Sequence, residues 1–178
     1  CMNAVLGGID WFFNSEDEGI ILEDDIVPNI YFFNFAEQML ERYRNDDSVF
    51  FISSYNHTPR KLPPHGHIFS RYMQVWGWVG WSSKWKNIRD EEMKPDDIVV
   101  SPKPGNFRWW DRDRWQRTYL NACETDHIWD HQVQFQTLRL AGTVVRPTLN
   151  MSKNIGDGDD ATHTKKLVAR EPDNQKIQ

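Results

Sequence analysis

Three consecutive carboxylates, Glu23, Asp24 and Asp25, follow directly on the apolar run Ile20-Ile21-Leu22 and give way to Ile26, Val27 and Pro28. Charges of one sign packed this closely repel, and a hard divalent cation would neutralise them through oxygen ligands. Mg2+ or Mn2+ takes one or two carboxylates and shares its remaining positions with a diphosphate and water. A plainer role is open as well, because acids ahead of a helix complement the positive end of its dipole. Taken alone, the triplet favours that plainer role.

Other residues carry the same two-way reading. Asp130 in the pair Trp129-Asp130 has the chemistry of a general base, but an Asp opening a helix is more commonly a cap or first-turn acid. His163 offers a ring nitrogen to a metal or a diphosphate, or it is one of six solvated histidines. Lys153, Arg71 and Arg146 suit a phosphate, or simply water. The chain holds nine tryptophans, more than a core of this size requires, and Trp76, Trp78 and Trp81 cluster in WGWVGW. Their ring faces suit the apolar face of a sugar and equally suit a core.

The elements that position these groups follow from hydrophobic spacing. Met2 to Phe13 repeats apolar residues every three or four positions, as in a helix. Ile20 to Leu22 reads as a strand buried on both faces of a parallel sheet, with the acids at its carboxyl end, where open α/β sheets bind ligands. Pro28 and Asn29 open an amphipathic helix through YFFNFAEQMLERYR with Phe32, Phe35, Met39 and Tyr43 on one stripe. Val49 to Ile52 is a second buried strand, completing a strand-helix-strand unit. A turn-rich loop at 57–66 precedes a strand over Ile68 to Val75, then a short helix from Ser82 to Ile88. Residues 89–106 form a surface excursion. Helices are predicted over 108–121 and 129–141, with Gly142 as the stop and Thr143 to Arg146 as a strand. After Lys165 the composition is that of a disordered tail, 166–178, so one domain spans 1–165.

Composition narrows the function classes. A net charge of −5 argues against a phosphate-backbone binder, so nucleic acid is not an expected partner. No apolar run approaches the roughly 18 residues of a membrane span. The two cysteines, Cys1 and Cys123, offer neither metal spacing nor a disulfide framework.

Five blocks in order, GIILEDDIVP, FISSYN, VWGWVGWSSKWK, HIWDHQ and RPTLNMSKNIGDGDDATHT, resemble the GT-A-type glycosyltransferases. The likeness is to the bacterial and algal nucleotide-diphospho-sugar transferases, sometimes labelled hemolysin-like, which are related to the N-acetylglucosaminyltransferase of N-glycan branching. It covers residues 1 to 165. The resemblance implies an α/β, Rossmann-like, mostly parallel sheet flanked by helices, lacking its amino-terminal nucleotide-binding half. It implies metal-dependent inverting transfer of a hexosyl or N-acetylhexosaminyl group from a nucleotide diphosphate sugar, UDP-sugar favoured, to a hydroxyl of a carbohydrate or glycoconjugate. EDD then stands as the DxD variant: Asp25 ligates Mn2+ or Mg2+, while Glu23 and Asp24 face the donor. Trp76, Gly77, Trp78, Trp81 and Trp129 wall the sugars, and Asp130 is the catalytic base. Lys153 and His163 approach the diphosphate, His163 with the metal also in reach. The location implied is cytoplasmic for a bacterial protein and the Golgi lumen for a eukaryotic one. Alternatives are a glycosidase, a metal-dependent enzyme acting on nucleotide phosphates, and a non-catalytic sugar- or nucleotide-sugar-binding domain.

Overall fold

The computed structural model describes residues 2–58, 62–89, 117 and 129–156. The excursion expected over 89–106, the helix expected over 108–121, His163 and the tail 166–178 therefore lie outside, or almost wholly outside, the described residues. Helix α1 (Met2–Ser15) leads into strand β1 (Glu18–Ile21), and β2 (Ile26–Pro28) follows after the acids. Helix α2 (Ile30–Tyr43) starts where the Asn29 side chain accepts a hydrogen bond from Phe32 N at 3.1 Å, satisfying one of the free first-turn amides. Its stripe Phe32, Ala36, Met39, Leu40 and Tyr43 is buried. Strands β3 (Val49–Ser53), β4 (His67–Ser70) and β5 (Trp78–Trp81), helix α3 (Ser82–Arg89), helix α4 (Trp129–Arg139), and strands β6 (Thr143–Pro147) and β7 (Ser152–Asn154) complete the order.

Five strands form one sheet in the order β1-β5-β3-β6-β4, and β2 pairs with β7 as a separate ribbon. Neighbouring side chains along each strand go to opposite cores. Phe51, Trp78 and Val144 join Leu6, Ile9, Phe13, Trp85, Ile88 and Val133, which come from α1, α3 and α4. Ile52, Val79 and Val145 join the stripe of α2. Helices thus cover both faces. Among the described residues none is long and apolar enough to cross a membrane.

The sheet corrects the expectation of a mostly parallel one. β3 and β6 are parallel, whereas β1 with β5, β5 with β3, and β4 with β6 are antiparallel. An unbroken apolar strand reports that both faces are covered, which helices can achieve on an antiparallel sheet as well. The strand-helix-strand unit is present, but β5 is wedged between β1 and β3, so these two run in the same direction without touching. β1 is an edge strand of intermediate burial, and Leu22 lies beyond it, exposed.

Two further corrections concern the ends of elements. The strand expected over Ile68 to Val75 stops at Ser70, because side chains take the backbone bonds of the next residues. Gln134 accepts from Met73 N at 2.5 Å and donates to Arg71 O at 2.9 Å, while Ser53 Oγ bonds Gln74 N at 3.3 Å. The stop of α4 is a Schellman turn in which Gly142 N reaches Thr137 O at 2.7 Å. The left-handed residue there is Ala141, at φ 57°, not Gly142. Gly142 is required for space: a Cβ would stand 2.8 Å from the Phe50 ring.

Trp78 is wholly buried, its ring 5.0 Å from Phe51 and 5.8 Å from Trp85 between centroids. Trp78→Ala is expected to cost about 3–5 kcal/mol of stability, read as a fall in the urea midpoint. A ligand-facing ring would cost far less.

Candidate functional site

β1, β3 and β6 share a direction, so their carboxyl ends gather on one edge, the edge at which β5 begins. Helix α4 turns through residues 140–142 into β6, which returns its first turn to that edge. The acid turn, the end of β3, the WGW segment and Asp130 are thereby drawn toward one region.

The acids occupy a tight turn closed by Ile26 N donating to Glu23 O at 3.1 Å. The β2–β7 ribbon ties this turn to residues far along the chain: Ile26 stands opposite Asn154, Val27 opposite Lys153 and Pro28 opposite Ser152. Ile155 N donates to Asp25 O at 2.8 Å. The carboxylate of Asp25 is oriented by Asn154, whose Nδ2 donates to Oδ2 at 3.1 Å while its Oδ1 accepts from Gly156 N at 2.7 Å. A Cβ on Gly156 would stand 2.4 Å from Asp25 Oδ2, so only glycine leaves room for this carboxylate. Asp25 Oδ1 is buried and has no hydrogen-bond partner among the described residues. A buried carboxylate oxygen left unpaired costs free energy unless something cationic or donating meets it.

Asn154 thus fixes the carboxylate through one oxygen and leaves the other over. Among the described residues no three of His, Cys, Asp and Glu converge closely enough to hold a metal unaided.

Electrostatics joins Asp130 to the triplet. Burial, and after it the charges of Asp25, Asp130 and Asp24, push the Glu23 carboxyl from 4.5 up to about 7. Asp130 itself lies in the first turn of α4, half-buried.

The aromatic residues divide. Trp76 is half-buried and packs edge-on with Tyr55 and His57, both at 5.1 Å between centroids. Trp78, Trp81 and Trp129, expected to wall the sugars, are buried among core residues. Gly77, at φ 83°, turns the chain beside Ser54, whose Oγ is 2.8 Å from where a Cβ would stand. Lys153 is exposed on β7. His163 is outside the described residues.

Beneath Trp76 sits a buried knot. Ser54 Oγ lies 2.5 Å from Trp76 O, Ser152 Oγ lies 3.0 Å from the same oxygen, and the hydroxyls are 2.6 Å apart. Two hydroxyl protons cannot serve three contacts at once. The shorter pair forms a chain, Ser152 donating to Ser54 and Ser54 to the carbonyl. Sequence reasoning missed Ser54, Ser152, Asn154 and Gly156. Only Gly156, in the turn-rich run SKNIGDG, carried a local signal.

No protein-family model and no curated protein sequence matches the chain.

The Glu23 carboxyl makes stability depend on pH. Its folded pKa is raised above 4.5, so the folded state holds a proton that the unfolded chain releases between 4.5 and about 7. This contribution is complete below that window and lost as pH rises through it. The melting temperature of the metal-free protein is expected to fall across the window more steeply than that of Glu23→Gln. Parallel curves would show that Glu23 titrates normally.

Proposed function

We propose that this domain is a metal-dependent inverting glycosyltransferase of GT-A type. It moves a sugar from a nucleotide diphosphate sugar, a UDP-sugar being favoured, to a hydroxyl of a carbohydrate or glycoconjugate acceptor. One observation carries the reading: the EDD turn and the Trp129-Asp130 pair, roughly a hundred residues apart in sequence, lie close enough for the charge of Asp130 to act on Glu23. The parallel pairing of β3 with β6 and the gathering of strand carboxyl ends at the acids support the same reading.

In this mechanism Asp25 and Asn154 hold a preset oxygen for Mn2+ or Mg2+, which when bound supplies countercharge for the departing diphosphate. Glu23 and Asp24 face the donor. The acceptor oxygen forms its bond to the anomeric carbon as the bond to the diphosphate oxygen breaks, inverting the centre in one displacement. Asp130 takes the hydroxyl proton as that bond forms. The exposed part of Trp76, braced by Tyr55 and His57, offers the apolar surface for a sugar ring.

A second reading has its own observation. A carboxyl that keeps its proton near neutrality beside another carboxylate is the pairing used in acid-catalysed glycoside hydrolysis, with Glu23 as acid and Asp130 as its partner. The two readings part on cofactor: hydrolysis of a glycoside in the presence of a chelator supports the second and excludes the first.

Titration calorimetry with Mn2+ and UDP tests the site. Asp25→Ala is expected to abolish metal-dependent nucleotide binding while the circular dichroism spectrum is unchanged. Asp130→Asn should bind the donor nearly as wild type and lose about 10²-fold or more in kcat, since an amide cannot accept the proton. An Asp130→Asn variant with full turnover would reduce Asp130 to a first-turn acid.

A further inference from the structure

Arg146 is a cation in an unusual place. It is the penultimate residue of β6, opposite Ile68 of β4, and only 5% exposed. Its side chain lies on the face of the sheet that Val144 shares with α4, two positions along the strand. The guanidinium donates through Nη2 to the carbonyl of Tyr72, and its Nε is buried with no hydrogen-bond partner among the described residues. Among the described residues Arg146 belongs to no ion pair, while Arg44, Lys84 and Arg89, at the end of α2 or on α3, each pair with a carboxylate. Burial lowers its pKa to about 10, and the Tyr72 phenol acts the other way.

A buried guanidinium without a counter-ion is expensive, since the desolvation of a charge amounts to several kcal/mol and a carbonyl dipole offsets a fraction of it. The neighbouring titratable group does not help: its surroundings, and after them the Arg146 charge, hold His57 below the ordinary imidazole value. His57 packs its ring on Tyr55 and Trp76, at 4.6 and 5.1 Å between centroids. The guanidinium also keeps part of its planar fork unused, the geometry that matches two oxygens of a carboxylate or phosphate.

We propose that Arg146, with His57 as its neighbour, is a receptor for a single oxyanion, a phosphate or a carboxylate group, distinct from the carboxylates of the EDD turn. The acidic turn and this cation stand at the carboxyl ends of two different strands, β1 and β6, with β5 and β3 between them. One edge would thus take a cation at one end and an anionic group at the other. The proposal does not depend on the glycosyl-transfer reading, because it concerns anion binding without metal or nucleotide.

Thermal unfolding of the full chain in inorganic phosphate, in glucuronate and in chloride, at matched ionic strength and without divalent cation, tests it. Wild type should show a saturable rise in melting temperature with one of the two oxyanions relative to chloride, and the responding arm names the group. Arg146→Met, similar in length and uncharged, should lose the saturable part while unfolding cooperatively. Arg146→Lys, which keeps the charge without the fork, should weaken the apparent affinity about tenfold, and it serves as the deciding variant if Arg146→Met does not fold. A wild-type chain that answers neither anion, or an unchanged response in Arg146→Lys and Arg146→Met, would overturn the proposal.

Discussion

The carbonyl of Trp76 is the point on which the candidate site depends. Two serine hydroxyls, one from the end of β3 and one from β7, converge on it out of water, and each bond joins segments distant in sequence: Ser54 and Ser152 are 98 positions apart. Backbone bonds reinforce the junction, Ser54 N to Gly77 O at 2.9 Å and Met151 N to Ser54 O at 2.8 Å. Because β7 also carries Asn154, whatever fixes Ser152 fixes the orientation of the Asp25 carboxylate through two residues of extended chain. Buried polar contacts of this kind are costly when incomplete, so the three segments are held together or not at all.

The acid turn is the opposite kind of structure. Glu23 is driven toward its neutral form by burial and by three neighbouring carboxylates, and among the described residues Asp25 keeps a buried oxygen with no partner. Arg146 adds a buried cation that pairs with no acid among the described residues. Each feature costs the fold stability, and a charge of the other sign would relieve it. The cores around Phe51, Trp78 and Val144 on one face and Ile52, Val79 and Val145 on the other carry that burden.

Local elements were legible in the sequence because short-range physics decides them. The α2 stripe, the Asn29 cap, the buried run at Val49 and the helix after Ser82 all follow from spacing and capping chemistry. Sheet order was not legible, since nothing local states that β5 enters between β1 and β3. The apolar character that suggested a parallel sheet records two covered faces only. Likewise the backbone from Arg71 to Gln74 leaves the sheet because Gln134 and Ser53 compete for its amides and carbonyls, a contest settled in three dimensions. Of the site, the acids and Asp130 could be picked out by chemistry. Asn154, which orients Asp25 from 129 positions away, could not, and the tryptophans that looked most like a binding wall proved largely to be core.

The β3–β6 pairing has a consequence for how the chain is made. β3 is the centre of the sheet, yet its parallel neighbour β6 is encoded roughly ninety residues later, and the closure of so long a loop is paid before its contacts reward it. On a ribosome, α2 can fold against β3 early, leaving one side of the central strand unpaired while the intervening chain is synthesised. The acid turn comes off first and waits longest, because the ribbon that orients it is completed only when Asn154 has emerged. During that interval the open side of β3 is the nascent chain's most exposed strand edge, and chaperone binding is expected to concentrate there.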